Sequence, residues 1–225
     1  MRRTLIRLFA GAILTVAASA YAATPVKTVV WDDLVPKFST ALKDPLAGHE
    51  LYRRLEIETI IWASKLDEQQ RSSEEFKAGA EDAEHYKAEM RKQGIDPEKL
   101  VREYKIWQLQ VEERNKHVVK DLDGEQIKIA GYLLPLEYSD KGEKEFLLVP
   151  YVGACIHSPA PPPNQIVFVE LNQTFKADDL DAAVWVTGTM RTKVSTKALS
   201  YVDGTADIPV GYTLEAKLIE AYEEK

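Results

Sequence analysis

The sequence predicts an α+β fold, an N-terminal helical hairpin followed by a small antiparallel β-barrel, with the oligonucleotide/oligosaccharide-binding type as one candidate form. Three observations carry this expectation. Between residues 48 and 117, apolar residues recur at steps of three and four, the helical period. From about residue 118 that period gives way to short apolar runs. Two of those runs hold a glycine, Gly131 and Gly188, and a glycine inside a strand marks a bulge or sharp bend.

The chain opens on a basic segment (Arg2, Arg3, Arg7), an apolar run (Leu8 to Ala18) and a small-x-small box, Ala20-Tyr21-Ala22. That order is the mark of a secretory signal peptide. A membrane span needs roughly 20 apolar residues, and this run is shorter. Residues 1–22 are therefore expected to be a cleaved signal peptide, with the remainder in the periplasm and no membrane insertion after cleavage. Two regions are expected beyond it: 23–117, an N-terminal segment and the helical hairpin, and 118–225, the barrel.

Val29-Val-Trp-Asp-Asp-Leu-Val-Pro36 reads as a strand or docking segment followed by a helical turn, anchored by Trp31 and Leu34. The first helical stretch carries Leu51, Leu55, Ile57, Ile60, Ile61, Trp62 and Leu66, and charged, Ala-rich sequence continues to Gln93. Gly94-Ile-Asp-Pro97 then supplies a C-terminal glycine, an N-cap aspartate and a proline at the first helical position. Leu100, Tyr104, Trp107 and Val111 form one stripe on the following helix. Two helices around one tight break make an antiparallel hairpin the economical arrangement. Asp123-Gly124 is a turn, and strands are expected at Ile127–Leu136, Phe146–Tyr151, Ile166–Leu171, Val184–Met190 and Tyr212–Tyr222.

The 29 basic and 36 acidic residues leave a net charge of −7. The leader holds three arginines and no acid, so the mature chain carries −10. Such a chain has no electrostatic footprint for nucleic acid or anionic lipid. No nucleophile elbow, P-loop, Gly-x-Gly-x-x-Gly, His-Glu-x-x-His or Cys-x-x-Cys is present, so the sequence does not read as an enzyme.

The single cysteine, Cys155, has no intramolecular disulfide partner, which leaves burial, metal binding, catalysis or pairing with another chain. It stands in Gly153-Ala-Cys-Ile-His157, ahead of a proline-rich stretch, Pro159 to Pro163, that stiffens the chain toward polyproline II. Thiolate and imidazole both suit zinc or copper(I). Alternate residues of an extended strand share a face, so Cys155 and His157 could ligate together. Two ligands do not complete a zinc site, and a buried cysteine beside a hydrogen-bonded histidine is the plain structural reading. His49, His85 and His117 read as surface helix residues, with His117 the nearest candidate for a third ligand.

Gly131-Tyr-Leu-Leu-Pro-Leu-Glu137, Glu145-Phe-Leu-Leu-Val-Pro-Tyr-Val-Gly-Ala-Cys-Ile-His157, Pro161-Pro-Pro-Asn-Gln-Ile-Val167 and the Trp31 opening together resemble the bacterial envelope family DUF3299, a domain of unknown function. The resemblance covers about residues 117–222 and that opening; Ser158-Pro-Ala-Pro departs from a more continuous proline run. Similar proteins are often encoded beside an ABC transporter and a His-rich periplasmic protein in clusters linked to zinc limitation. The resemblance thereby implies a periplasmic accessory protein of a zinc-homeostasis transport system. Its metal ligands would be Cys155 and His157, its cofactor zinc, and its partners inner-membrane ABC transporter components or another periplasmic protein. Two alternatives stand beside it: a metal-free envelope interaction module presenting a proline-rich ridge, and a thiol-dependent enzyme.

Overall fold

The structure, a computed structural model, describes residues 25–137, 142–154, 160–176, 182–201 and 204–222. The expected signal peptide, residues 1–22, lies outside the described residues, as do Cys155 and His157. A short strand, β1 (Lys27–Thr28), pairs parallel with β2 (Gln126–Pro135), which opens the barrel half and is followed by β3 (Glu143–Val149), β4 (Val167–Phe175) and β5 (Ala183–Arg191). A hairpin, β6 (Ser195–Tyr201) and β7 (Gly204–Val210), precedes the last strand, β8 (Tyr212–Ala221). Pairing runs β2-β3-β4-β8-β5 and returns to β2, which closes a five-stranded barrel. The barrel is mixed where the sequence led us to expect an antiparallel one: β4 and β8 run parallel, Val167 facing Tyr212 through Leu171 facing Ala216. β4 and β5 run in opposite directions, and β8 lies between them antiparallel to β5, which makes it parallel to β4. The expected strands did not include the β6–β7 hairpin.

Alternation on β2 shows why the barrel has one filled interior. Ile127, Ile129, Gly131 and Leu133 point inward, meeting Phe146, Leu148, Val169, Val186, Met190, Tyr212 and Leu214. Gly188 sits at the expected irregularity: a Cβ there would lie 2.4 Å from the carbonyl oxygen of Glu215, where the β5–β8 register shifts. A second apolar layer lies outside the barrel wall, where Leu134, Leu147, Ile166 and Phe168 are covered by Leu199, Ile208 and Val210 of the hairpin.

The helices are α1 (Leu51–Ala63), α2 (Glu68–Ser72), α3 (Lys77–Lys92) and α4 (Pro97–Asn115). The expected N-terminal two-helix hairpin is thus corrected: helix begins only at Leu51, and the stretch ahead of Gly94 is broken into three. Asp67 causes one break by capping α2, accepting from the Gln70 N–H at 2.7 Å while Gln70 accepts from the Asp67 N–H at 3.0 Å. The main partner of α3 is α1, since the small Gly79, Ala80 and Ala83 admit close approach; a Cβ on Gly79 would stand 2.7 Å from the Trp62 ring. The Gly94–Pro97 punctuation forms as the sequence indicates, with Gly94 at φ +75° and Asp96 accepting from the Lys99 N–H at 2.9 Å. Among the described residues no helix is long and apolar enough to cross a membrane.

Candidate functional site

The described residues that flank the Cys155–His157 segment meet the Trp31 opening at one end of the barrel, where β3 leaves and β4 begins. Val149 ends β3, and Gly153 takes φ +74°, a left-handed conformation that glycine adopts without strain. Ala154 then turns into the outer apolar layer and is buried. On the returning side Pro162 holds polyproline angles (φ −62°, ψ 154°), and Pro163–Gln165 form one 3₁₀ turn. Pro161, Asn164 and Ile166 are buried.

Hydrogen bonds fix this returning stem from three directions. The Gly211 N–H donates to the Pro163 carbonyl at 2.7 Å, and Gly211 has no room for a side chain, because a Cβ would meet that same oxygen at 2.7 Å. Asn164 Nδ2 donates to the His117 carbonyl at 3.3 Å. Gln165 Nε2 donates to the Trp31 carbonyl at 2.8 Å. Trp31 in turn donates from its indole nitrogen to the Ala130 carbonyl at 2.8 Å. Gly131 makes room for it, since a Cβ there would lie 2.9 Å from the Trp31 ring and 2.7 Å from the Val149 oxygen. The two anchors expected in the opening segment therefore do anchor: Leu34 is fully buried, and Trp31 packs half-buried on the barrel.

Tyr212 completes the knot. Its buried hydroxyl donates to the Leu34 carbonyl at 2.6 Å and accepts from the Val119 N–H at 2.7 Å. One side chain thus ties the opening segment, the link to the helices and β8. Burial raises its pKa above the ordinary phenol value, opposed by the Val119 N–H. Sequence reading placed Tyr212 only as the start of a strand; a tyrosine directly after Gly211 is the signal that was there to find.

Beside these stems, Tyr151 and Val152 are 44% and 49% exposed. His49, His85 and His117 are exposed, as expected, but only His85 stands in a helix: His49 precedes α1 and His117 follows α4. The His117 ring nitrogen Nδ1 lies 2.8 Å from the Glu113 carbonyl, and its ring meets Phe38 edge-on at 5.9 Å. Among the described residues, no group of three or more His, Cys, Asp or Glu is placed to hold a metal ion.

The profile of the DUF3299 family, described as a protein of unknown function, matches residues 31–221, the span that contains this knot. The chain belongs to the DUF3299 family. A crystal structure of a DUF3299 family protein from Pseudomonas aeruginosa PAO1 is 27% identical; the alignment covers 89% of this chain and 99% of that one, with a TM-score of 0.47. No curated protein matches. In this DUF3299 protein the family match takes in the helices as well as the barrel, so the helical region belongs to the family's own span.

Proposed function

We propose that this DUF3299 protein is a periplasmic accessory binding module whose working element is the connection between β3 and β4, with Cys155 and His157 of that connection as ligands for a zinc-class ion. The observation that carries this reading is the fixing of both stems. Gly153 and Ala154 hold one side, and Gly211, His117 and Trp31 hold Pro163, Asn164 and Gln165 on the other. Stems that are already fixed lose little freedom on binding. Its donor chemistry, one thiolate and one imidazole, suits zinc or copper(I), with remaining ligands from a partner or solvent.

The strand path, with the third and fifth barrel strands parallel, supports the oligonucleotide/oligosaccharide-binding type of barrel. Barrels of that type bind on the face of their second and third strands. Here that face, β3 and β4, is covered by the protein's own β6–β7 hairpin, and Lys197 lies 3.5 Å from the centre of the Phe168 ring. Binding is left to the connection, and the charge of −7 adds no attraction for nucleic acid. A link to an ABC transporter rests on the family resemblance alone.

The test is zinc titration of the reduced, tag-free protein beside Cys155→Ala and His157→Ala. The reading expects saturable binding that both substitutions weaken. Equal binding in all three proteins, or none in any, sinks the metal assignment and leaves a metal-free interaction module.

A further inference from the structure

We infer that a second site, remote from the β3–β4 connection, lies between α4 and the segment that precedes α1, and that it takes a neutral carbohydrate with a flat pyranose face. Residues 38–47 run along α4 as a strap pinned at both ends. At one end the Arg114 guanidinium lies 4.4 Å from the centre of the Phe38 ring and donates to the Thr40 carbonyl at 2.6 Å. At the other, Asp44 accepts from Arg54 at 2.9 Å and from the Leu46 N–H at 2.8 Å, and Leu46 is buried. Between strap and helix lies a cleft of about 500 Å³, within the roughly 300–1,000 Å³ range of small-molecule sites.

Its chemistry selects the ligand class. Pro45, Ile106 and Trp107 supply an apolar wall. The Trp107 ring is held in place: it stacks on the buried Tyr104 at 5.6 Å and 23°, with the Arg54 guanidinium 5.4 Å from each ring centre. A fixed indole beside an exposed isoleucine matches the C–H face of a pyranose whose hydroxyls are equatorial. The rim carries Lys43, Glu103 and Gln110, beside Asp44, whose carboxylate is already paired with Arg54. One cation and one anion cancel, which removes any selection for a charged ligand. Together the three supply both donors and acceptors, as a polyhydroxylated ring requires.

The experiment is isothermal titration calorimetry of the full chain with cellotriose and with chitotriose, tri-alanine being the peptide control. Saturable binding of at least one sugar is expected. Gln110→Ala should weaken it about fivefold, the worth of one hydrogen bond, and Trp107→Ala at least about tenfold. Gln110 is exposed, so its variant keeps the fold and decides the matter where Trp107→Ala unfolds. The inference is overturned if neither sugar saturates below about 10 mM, if Gln110→Ala binds as tightly as the parent, or if tri-alanine binds as well as the sugars.

Discussion

The barrel and the helical region are built to different tolerances. In the barrel, apolar side chains fill both the interior and an outer layer, and close approaches are enforced by Gly131, Gly188 and Gly211, where a Cβ would strike backbone oxygen. The helical core is smaller: Leu46, Ile57, Ile60, Ala63, Ala83, Met90, Leu100 and Tyr104 are its main buried apolar members. Its surface leaves Leu51, Leu55, Ile106 and Leu109 more than half exposed. The helices lean instead on side-chain bonds. Buried Arg53 donates to Glu56 at 2.6 Å and to Gln93 at 2.7 Å, and Tyr104 donates to Glu58 at 2.8 Å while accepting from Arg54 at 2.9 Å. The difference teaches where this fold has no slack: around the strand ends that carry the β3–β4 connection.

Substitutions sharpen that contrast in decreasing order of effect. Gly131→Val drives a branched side chain into the Val149 carbonyl and the Trp31 ring and should cost about 3 kcal/mol, read from the urea midpoint. Tyr212→Phe leaves the Leu34 carbonyl and the Val119 N–H without their shared partner inside the core, for a loss of about 2 kcal/mol. That variant also carries a pH signature. Because the folded hydroxyl has a raised pKa, its contribution is complete below about pH 10 and declines as pH climbs from there through the folded value. The parent should therefore lose stability in alkali more steeply than Tyr212→Phe, in denaturant melts at graded pH.

Tyr104→Phe, in the helical region, should cost only about 1 kcal/mol, since Arg54 and Glu58 keep access to water. Leu55→Gln, on the open face of α1, should stay within about 0.5 kcal/mol. A loss there as large as that of Gly131→Val would break the contrast, by showing that the exposed helix face is buried in an assembly.

Much of the barrel could be read in the chain because its signals are local. Alternation at Ile127, Ile129 and Leu133, the Asp123-Gly124 turn and the in-strand glycines each act within a few residues. The Gly94–Pro97 punctuation was legible for the same reason. The break before α2 was not, because a single Asp67 cap competes with a helical apolar period that continues through Leu66. The β6–β7 hairpin was also hidden: among its described residues only Leu199, Ile208 and Val210 are buried, and many of their neighbours, such as Thr196, Ser200, Thr205 and Asp207, are polar. For the site, each motif was visible but their partnership was not. Gln165 reaches Trp31 across 134 positions, and Tyr212 reaches Leu34 across 178, distances over which sequence carries no pattern.

What matters most is the proposal that Cys155 and His157, between the fixed stems of the β3–β4 connection, engage a zinc-class ion. The direct measurement is the rate at which a thiol reagent modifies Cys155 in the native protein, with and without zinc, across urea concentrations below the unfolding transition. The account predicts modification that is independent of urea in this range and slowed by zinc. A rate that zinc leaves unchanged and that rises with urea in step with global unfolding would place Cys155 inside the packed fold, and would contradict it.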